Sequence, residues 1–304
     1  MSTRTLPAVE LGLRPEVVVA ACLAATWLIW GSTYLAIKWA LISLPPFFQM
    51  ASRFLVAGAA LMVWMRVVRA AAWPTARQWR NAAINGALML GGGLGATAYA
   101  EQTIGSGLVV AFVAVIPIMI AAVNTLWGVW PSRNEAIGIA VGLGGVLLLT
   151  QGTGFAASPG GLLAIAAGCL AWSLGSVLSQ RRLPLAPGAM GFASEMLAGG
   201  VVLAIMSLAA GEPAVVAANW PFAPKALLAW IYLVVFGSLI AFNSYMLLLD
   251  RVSPAIASSY SFVNPVIAML LGVVVDGEIV TTFEWLAAAV IVAGVVLVMT
   301  ERRH

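Results

Sequence analysis

The chain has 304 residues, of which 62% are hydrophobic and only 9% charged, with a mean hydropathy of +1.02 and a formal net charge of +4. Soluble domains are about 45–50% apolar and about 25% charged, so this composition excludes a soluble globular protein and predicts an all-α protein that crosses a membrane repeatedly. The two cysteines, Cys22 and Cys169, lie in apolar segments, where neither a disulfide framework nor a metal site is expected.

Apolar segments of suitable length predict ten transmembrane helices joined by short connections. Their approximate ranges are 17–41, 46–65, 81–101, 105–128, 135–151, 160–180, 188–209, 225–249, 253–275 and 283–300. If the N-terminus is cytoplasmic, twelve of the 15 Lys and Arg residues lie in the inner segments and only Lys225 in the outer loops. Since cytoplasmic loops are rich in Lys and Arg, this asymmetry predicts that both termini are cytoplasmic. The basic charge is therefore explained by topology, and nucleic acid is not an expected partner.

The first predicted helix carries a polar and aromatic stripe. Trp27, Trp30, Tyr34 and Lys38 follow one another at spacings of three, four and four, which places them on one helix face. Polar groups inside membrane helices usually face the bundle interior or a water-filled cavity, so this face is expected to line a solute pathway. Lys38 has two interpretations: a counter-charge for a substrate carboxylate, or a side chain that extends to the outer interface.

The third helix ends on the outer side at Glu101, level with Lys38, and also carries Tyr99. An ion pair between Lys38 and Glu101 would either gate the outer mouth of the pathway or simply satisfy both charges. Pro117 in the fourth helix and Pro265 in the ninth interrupt backbone hydrogen bonding, so we expect kinks there that act as hinges, shape a cavity or remain static.

Further candidate ligands lie on the sixth, eighth and ninth helices. Trp172 and Ser176 share a face of the sixth helix, and Tyr260 and Asn264 share a face of the ninth. Asn243 lies beside a polar and aromatic face of the eighth helix. Small hydroxyl side chains also hold membrane helices together, so Ser176 is either a ligand or a packing residue.

The sequence repeats itself internally. At an offset of 142 residues Trp30 matches Trp172, and at an offset of 148 Pro117 matches Pro265. Each half has an odd number of helices, so the second half must enter the membrane from the opposite side. We therefore predict two inverted five-helix repeats, residues 17–151 and 160–301, an architecture that places the transport site near the bilayer midplane.

The repeat also pairs two charges of opposite sign, Arg53 in the second helix and Glu195 in the seventh. Each lies about 10 Å inside the membrane, so both side chains are expected to face protein or water rather than lipid. Glu195 is the only acidic residue well inside a predicted span, which makes it the candidate for proton coupling. A structural partner for its carboxylate is the alternative.

These motifs resemble the ten-helix EamA family of the drug/metabolite transporter superfamily. The resemblance rests on Trp30-Gly31-Ser32-Thr33-Tyr34 with Lys38, on Arg53-Phe54, on the two prolines, and on Gly277-Glu278 before the tenth helix. The first half departs from the family pattern at Trp130-Pro131, where an acidic residue would be expected. The resemblance implies export of small metabolites, chiefly amino acids, across a bacterial inner membrane, and is greatest to the aromatic amino-acid exporters.

Other functional classes fit less well. The only histidine is His304, and no His-Glu-x-x-His or Gly-x-Ser-x-Gly motif occurs, so we expect neither an enzyme nor a cofactor or metal. A channel would not require an inverted repeat. Exporters of drugs, nucleosides, sugars or lipid intermediates remain alternatives.

The sequence therefore predicts alternating access to one central site, in a monomer or homodimer surrounded by the lipid bilayer. The predicted substrate-binding residues are Trp30, Tyr34, Lys38, Tyr99, Trp172, Ser176, Asn243, Tyr260 and Asn264.

Overall fold

The structure, a computed structural model, describes residues 14–103, 109, 112–150, 158–276 and 282–299, and every regular element within these ranges is helical. The helices are α1 (Pro15–Ala40), α2 (Pro46–Val67), α3 (Ala76–Gly86, Ala87–Gly95 and Ala96–Ala100 in one continuous run), α4 (Ile116–Thr125), α5 (Arg133–Thr150), α6 (Pro159–Arg181), α7 (Ala189–Ala209), α8 (Glu212–Ala218), α9 (Pro224–Arg251), α10 (Pro254–Ala257), α11 (Tyr260–Asp276) and α12 (Thr282–Met299). Five of these, α1, α2, α6, α7 and α9, are long and apolar enough to cross a bilayer, and shorter apolar helices occur at α4 and within α12.

The helices begin where the sequence supplies starting residues. Proline occupies the first turn of α1, α2, α6 and α9. Backbone N–H groups in the first turn have no partner within the helix, so the missing N–H of proline costs no hydrogen bond there. At the start of α3, Thr75 and Gln78 form a reciprocal capping box, in which each side chain accepts from the other residue's backbone N–H. Ser132 and Glu135 form the same arrangement at the start of α5.

The helices pack in pairs that join the two halves of the chain. α2 lies along α7 and α5 lies along α12, while α1 contacts α9 and α11, and α6 contacts α3 and α4. Glycines permit the closest approaches. A Cβ atom on Gly86 of α3 would lie 2.7 Å from the carbonyl oxygen of Glu195 in α7, and one on Gly294 of α12 would lie 2.5 Å from the backbone nitrogen of Gly142 in α5.

Polar side chains lie inside the bundle and large apolar ones lie on its surface. Buried polar or charged residues include Thr26, Gln49, Arg53, Asn85, Asn124, Ser176, Glu195, Ser238 and Asn264. Exposed apolar residues include Leu28, Val63, Leu163, Leu208, Leu228 and Leu286. A soluble protein would show the reverse distribution, whereas a surface of this kind is suited to contact with lipid tails.

Two segments depart from α-helical hydrogen bonding. Ala87–Gly95 in α3 and Leu233–Phe242 in α9 are π-helical, and the offset of 148 residues superimposes most of one on the other. In a π-helix each N–H bonds to the carbonyl five residues earlier, and such segments are frequent at functional sites. Gly93 in the first segment packs against Trp172, and Gly237 in the second packs against Arg53 and Thr33.

Candidate functional site

A cavity opens beside the C-terminal half of α1 and encloses about 570 Å³ of space that no atom occupies, its mouth included. Its walls come from α1, α2, α3, α4, α6 and α11 and from residue 113, just before α4. The lining residues are Trp30, Thr33, Tyr34, Ile37, Arg53, Gly93, Leu94, Thr97, Val113, Ile116, Gly168, Cys169, Trp172, Tyr260 and Asn264. Most are apolar or aromatic, with a few polar groups among them, which is the usual composition of a small-molecule site.

Four aromatic rings form a cluster at the base of the cavity. Trp30 is central: its ring centroid lies 5.6 Å from Trp172, 5.2 Å from Tyr245 and 4.7 Å from Tyr260. Trp172 and Tyr260 are perpendicular to Trp30, an edge-to-face geometry that stabilises aromatic pairs. Tyr245 also contacts Trp172 at 5.3 Å and Tyr260 at 5.5 Å. The cluster therefore joins α1, α6, α9 and α11, and three of its rings, Trp30, Trp172 and Tyr260, line the cavity.

Several polar groups in this region are buried without a hydrogen bond of acceptable geometry to any described residue. They are both amide atoms of Asn264, the indole nitrogen of Trp172 and the hydroxyl of Tyr260. The Tyr34 hydroxyl lies near the Asn264 amide, and the hydroxyls of Tyr245 and Tyr260 lie near the Trp172 indole nitrogen. Buried polar groups normally have partners, so these donors and acceptors are available to a bound solute.

The cavity also contains the guanidinium of Arg53, which is only 2% exposed. Its Nε donates to the hydroxyl of Ser238 at 3.0 Å, and its Nη1 lies 3.5 Å from the sulfur of Met50. The guanidinium also stands over the ring of Phe54 at 4.5 Å. No carboxylate among the described residues pairs with it, and no described charge offsets its burial.

The opposite end of the bundle is closed below the aromatic cluster. Trp27 donates to Ser259 at 3.0 Å, and Ser176 and Tyr245 share a hydrogen bond of 2.9 Å. Further along α6, Gln180 donates to a backbone carbonyl of α9 at 2.7 Å. At the end of α6, the guanidinium of Arg181 donates twice to Asn124, at 2.9 and 2.7 Å. Among the described residues, these contacts close this end of the bundle.

The structure brings together six of the residues that the sequence singles out: Trp30, Tyr34, Arg53, Trp172, Tyr260 and Asn264. Lys38 does not line the cavity and is exposed on α1. Tyr99 is 41% exposed and stacks on Phe47, with ring centroids 6.0 Å apart. Ser176 lies behind Tyr245 and bonds to it, while the Asn243 amide nitrogen donates to carbonyls of its own helix.

The remaining predicted residues lie outside the cavity lining. The carboxylate of Glu101 is buried without a hydrogen-bond partner among the described residues, close enough to Lys38 and Tyr34 to interact electrostatically with both. Glu195 is fully buried and interacts electrostatically with Tyr245. Pro117 lies in the first turn of α4 instead of the middle of a continuous helix, whereas Pro265 lies inside α11.

The predicted substrate-binding residues leave out several residues of the site. Tyr245 completes the aromatic cluster, and Thr33, Thr97 and Cys169 line the cavity. Thr33 belongs to the same polar motif as Trp30 and Tyr34, so that motif was the available signal.

In the described ranges, no group of three or more His, Cys, Asp or Glu residues could hold a metal ion. Gly277-Glu278 lies outside the described residues.

Comparisons with known proteins identify the family of this chain. The model of the EamA-like transporter family matches residues 17–151 and again residues 159–300. The chain is 42% identical over 277 residues to the uncharacterized inner membrane transporter YedA of Escherichia coli, covering 91% of this chain and 89% of that protein. It is 27% identical to an uncharacterized transporter of Archaeoglobus fulgidus, covering 93% of this chain and 97% of the relative. A solved crystal structure shares the fold with a TM-score of 0.75 at 23% identity, covering 94% of this chain and 98% of the other. The chain belongs to the EamA-like transporter family.

Proposed function

We propose that this transporter exports neutral amino acids, aromatic ones among them, from the cytoplasm across the inner membrane of a bacterium. The observation that carries the proposal is the aromatic cluster around Trp30 at the base of a cavity that also contains free polar groups. The rings suit an apolar or aromatic side chain. The amide of Asn264 and the indole nitrogen of Trp172 suit the polar head of an amino acid.

The proposed architecture has ten transmembrane helices in two inverted repeats, with both termini in the cytoplasm. The pairing of helices across the two halves and the equivalent π-helical segments support such a repeat. In this topology the end of α1 that adjoins the cavity faces outward, and the end closed by Arg181 and Asn124 faces inward. The structure would then represent an outward-open state of an alternating-access cycle.

Counterflow into proteoliposomes tests this function. Vesicles loaded with unlabelled phenylalanine should accumulate labelled phenylalanine, and the initial rate should saturate with concentration. Trp172→Ala should reduce the rate severely, because it removes one side of the aromatic cluster. Phe283→Ala, at an exposed position on α12, serves as the control and should leave the rate unchanged. Flux that does not saturate would indicate a channel. Saturable flux of nucleosides, sugars or drugs without any flux of amino acids would show that the proposed substrate is wrong.

Energy coupling is a separate part of the proposal. Glu195 is a fully buried carboxylate that would carry a proton, and facilitated export down a concentration gradient is the alternative. A pH gradient imposed on the same vesicles separates the two. Under proton exchange the gradient should drive uphill accumulation in the wild type but not in Glu195→Gln, while counterflow by the variant persists. Under facilitated export the gradient should have no effect on either protein.

A further inference from the structure

We propose that Arg53 is the anion-recognition residue of the cavity and that it binds a carboxylate of the transported solute. The inference rests on the proposed function only in treating the cavity as the transport site. It concerns the chemical class of the ligand, a monocarboxylate, and assigns the residue that recognises it.

Arg53 has hydrogen-bond donors that the protein leaves unused. A guanidinium has five N–H groups. In Arg53 one of them bonds to the hydroxyl of Ser238 at 3.0 Å, and a second has only the weak thioether acceptor of Met50. The side chain lines the cavity, so the remaining N–H groups are available to a ligand there.

The charge of Arg53 is buried without a counter-charge. Arg53 is 2% exposed, and no acidic side chain among the described residues balances its charge. A buried cation without a partner is costly, and an anion that enters the cavity removes that cost. A planar carboxylate matches the fork of the guanidinium and can accept two parallel hydrogen bonds. Arg53 is the one charged residue among the fifteen described residues that line the cavity, and a single cation suits a monoanion better than a phosphate dianion.

Neighbouring residues fix the position of the Arg53 guanidinium. The Ser238 hydroxyl fixes Nε, and the Phe54 ring supports the guanidinium plane at 4.5 Å. A Cβ atom on Gly237 would lie 3.3 Å from Nη2, so the glycine leaves space for this edge of the guanidinium. Lys38, the cation that the sequence suggests for the same task, is exposed and does not line the cavity. The surrounding residues therefore hold the Arg53 guanidinium in one orientation beside the cavity.

Two probes that share an uncharged phenylethyl group and differ only in a carboxylate or an amide test the proposal. Neither probe is an amino acid. The purified full-length transporter is titrated with 3-phenylpropionate and with its uncharged isostere 3-phenylpropionamide, and tryptophan fluorescence is recorded. The acid should bind at least about 10-fold more tightly than the amide, because only the acid makes charge-assisted hydrogen bonds. Arg53→Gln should remove this preference. Arg53→Lys should retain only part of it, because an ammonium has no planar fork.

Lys38→Met is the matched control and should keep the full preference for the acid. Folding of each variant is checked by its elution as a monodisperse peak and by its melting temperature. If the Arg53 variants do not fold, the acid and the amide are compared in the wild type and in Lys38→Met, where Arg53 is the cation that lines the cavity. Equal affinities for acid and amide, or no saturable binding of the acid, would overturn the assignment. If the acid binds through Arg53 but amino acids show no counterflow, the proposed substrate is wrong and the anion site stands.

Discussion

The indole nitrogen of Trp30 donates a hydrogen bond to the backbone carbonyl of Gly237 at 3.4 Å. Gly237 lies in the π-helical segment Leu233–Phe242, so the first helix of one half is bonded to the irregular segment of the other half. Trp172 is the residue equivalent to Trp30, but its buried indole nitrogen makes no such bond within the described part of the chain. The two halves thus differ at equivalent positions. Such a difference is required if inverted repeats exchange conformations during transport.

Replacing each tryptophan by phenylalanine should separate the two roles. Both substitutions remove similar volume from one aromatic cluster, but only Trp30→Phe breaks a hydrogen bond to the backbone of a neighbouring helix. The indole nitrogen of Trp172 lies near two tyrosine hydroxyls and makes no hydrogen bond of acceptable geometry to any described residue. A net contribution of about 1 kcal/mol predicts a lower melting temperature for Trp30→Phe than for Trp172→Phe. Thermal unfolding of the purified variants in detergent measures the difference. Equal melting temperatures would show that the bond to Gly237 contributes nothing to this conformation.

The sequence predicts half of the first helix's contribution to the site. The predicted stripe of Trp27, Trp30, Tyr34 and Lys38 assumes 100° per residue, as in a regular α-helix. Trp30 and Tyr34 line the cavity, whereas Trp27 and Lys38, at the two ends of the stripe, do not. The repeat also predicts the partnership of Trp30 with Trp172, and the two rings meet at 5.6 Å. The general fold follows from composition and apolar segment length, since the described residues form only helices and five of these helices are long apolar spans.

The prediction is weaker beyond the π-helical segments. Residues of α3 before and after Ala87–Gly95 do not share the faces that α-helical periodicity predicts. The reason is that i→i+5 bonding in this segment places more residues in each turn. Thr97 therefore lines the cavity, whereas Tyr99 is exposed and packs on Phe47. Asn243 follows the second segment and bonds to carbonyls of that segment. The glycine run in α3 is visible in the sequence. Hydropathy, however, does not show how far the π-helical segment rotates the following side chains around the helix axis.

Gly86→Ala should destabilise the protein strongly. An added Cβ atom would lie 2.7 Å from the carbonyl oxygen of Glu195 and from the backbone nitrogen of Gly199, and backbone atoms cannot move aside as a side chain can. Separation of α3 from α7 should cost about 1–3 kcal/mol. Melting temperature and yield of monodisperse protein measure the effect.

Gly144→Ala is the control for this change, because nothing lies within 4 Å of its added Cβ atom. Alanine is the better helix former, so this variant should be as stable as the wild type or slightly more stable. If Gly86→Ala melts at the same temperature as Gly144→Ala, the close contact between α3 and α7 is not needed for stability.

Glu212 links the short helix α8 to the start of α2. Its carboxylate oxygens accept hydrogen bonds from the backbone N–H groups of Phe47 at 3.1 Å and Phe48 at 2.6 Å. Those N–H groups have no partner within α2, since they belong to its first turn. Glu212→Ala should therefore lower the free energy of unfolding by about 2 kcal/mol, and Glu212→Gln, which keeps one acceptor, by about half as much.

Unfolding of the purified variants in detergent measures this order. Glu16→Gln is the control, because Glu16 also lies in a first helical turn but is exposed and should have little effect. Comparable losses of stability in Glu212→Ala and Glu16→Gln would mean that the bridge to α2 contributes no more than an ordinary surface charge.

Asn124→Ala should loosen the closed end of the bundle. Asn124 accepts both hydrogen bonds from Arg181 and so fastens α4 to α6. Without them the population should shift towards the state that opens at this end. Cys169 lines the cavity and reports the shift, because a membrane-impermeant thiol reagent added outside reaches it only in the outward-open state. In a Cys22→Ser background, Asn124→Ala should reduce the external labelling rate several-fold.

Thr125→Ala is the matched control, since the Thr125 hydroxyl bonds only to a carbonyl of its own helix. Its labelling rate should equal that of the background protein. In inverted vesicles the order should reverse, with Asn124→Ala labelled faster than the background, because opening at one end requires closing at the other. An increase in labelling from both sides would instead mean that the substitution opens a continuous leak, and the Arg181–Asn124 contact would then be part of a seal and not of a switch.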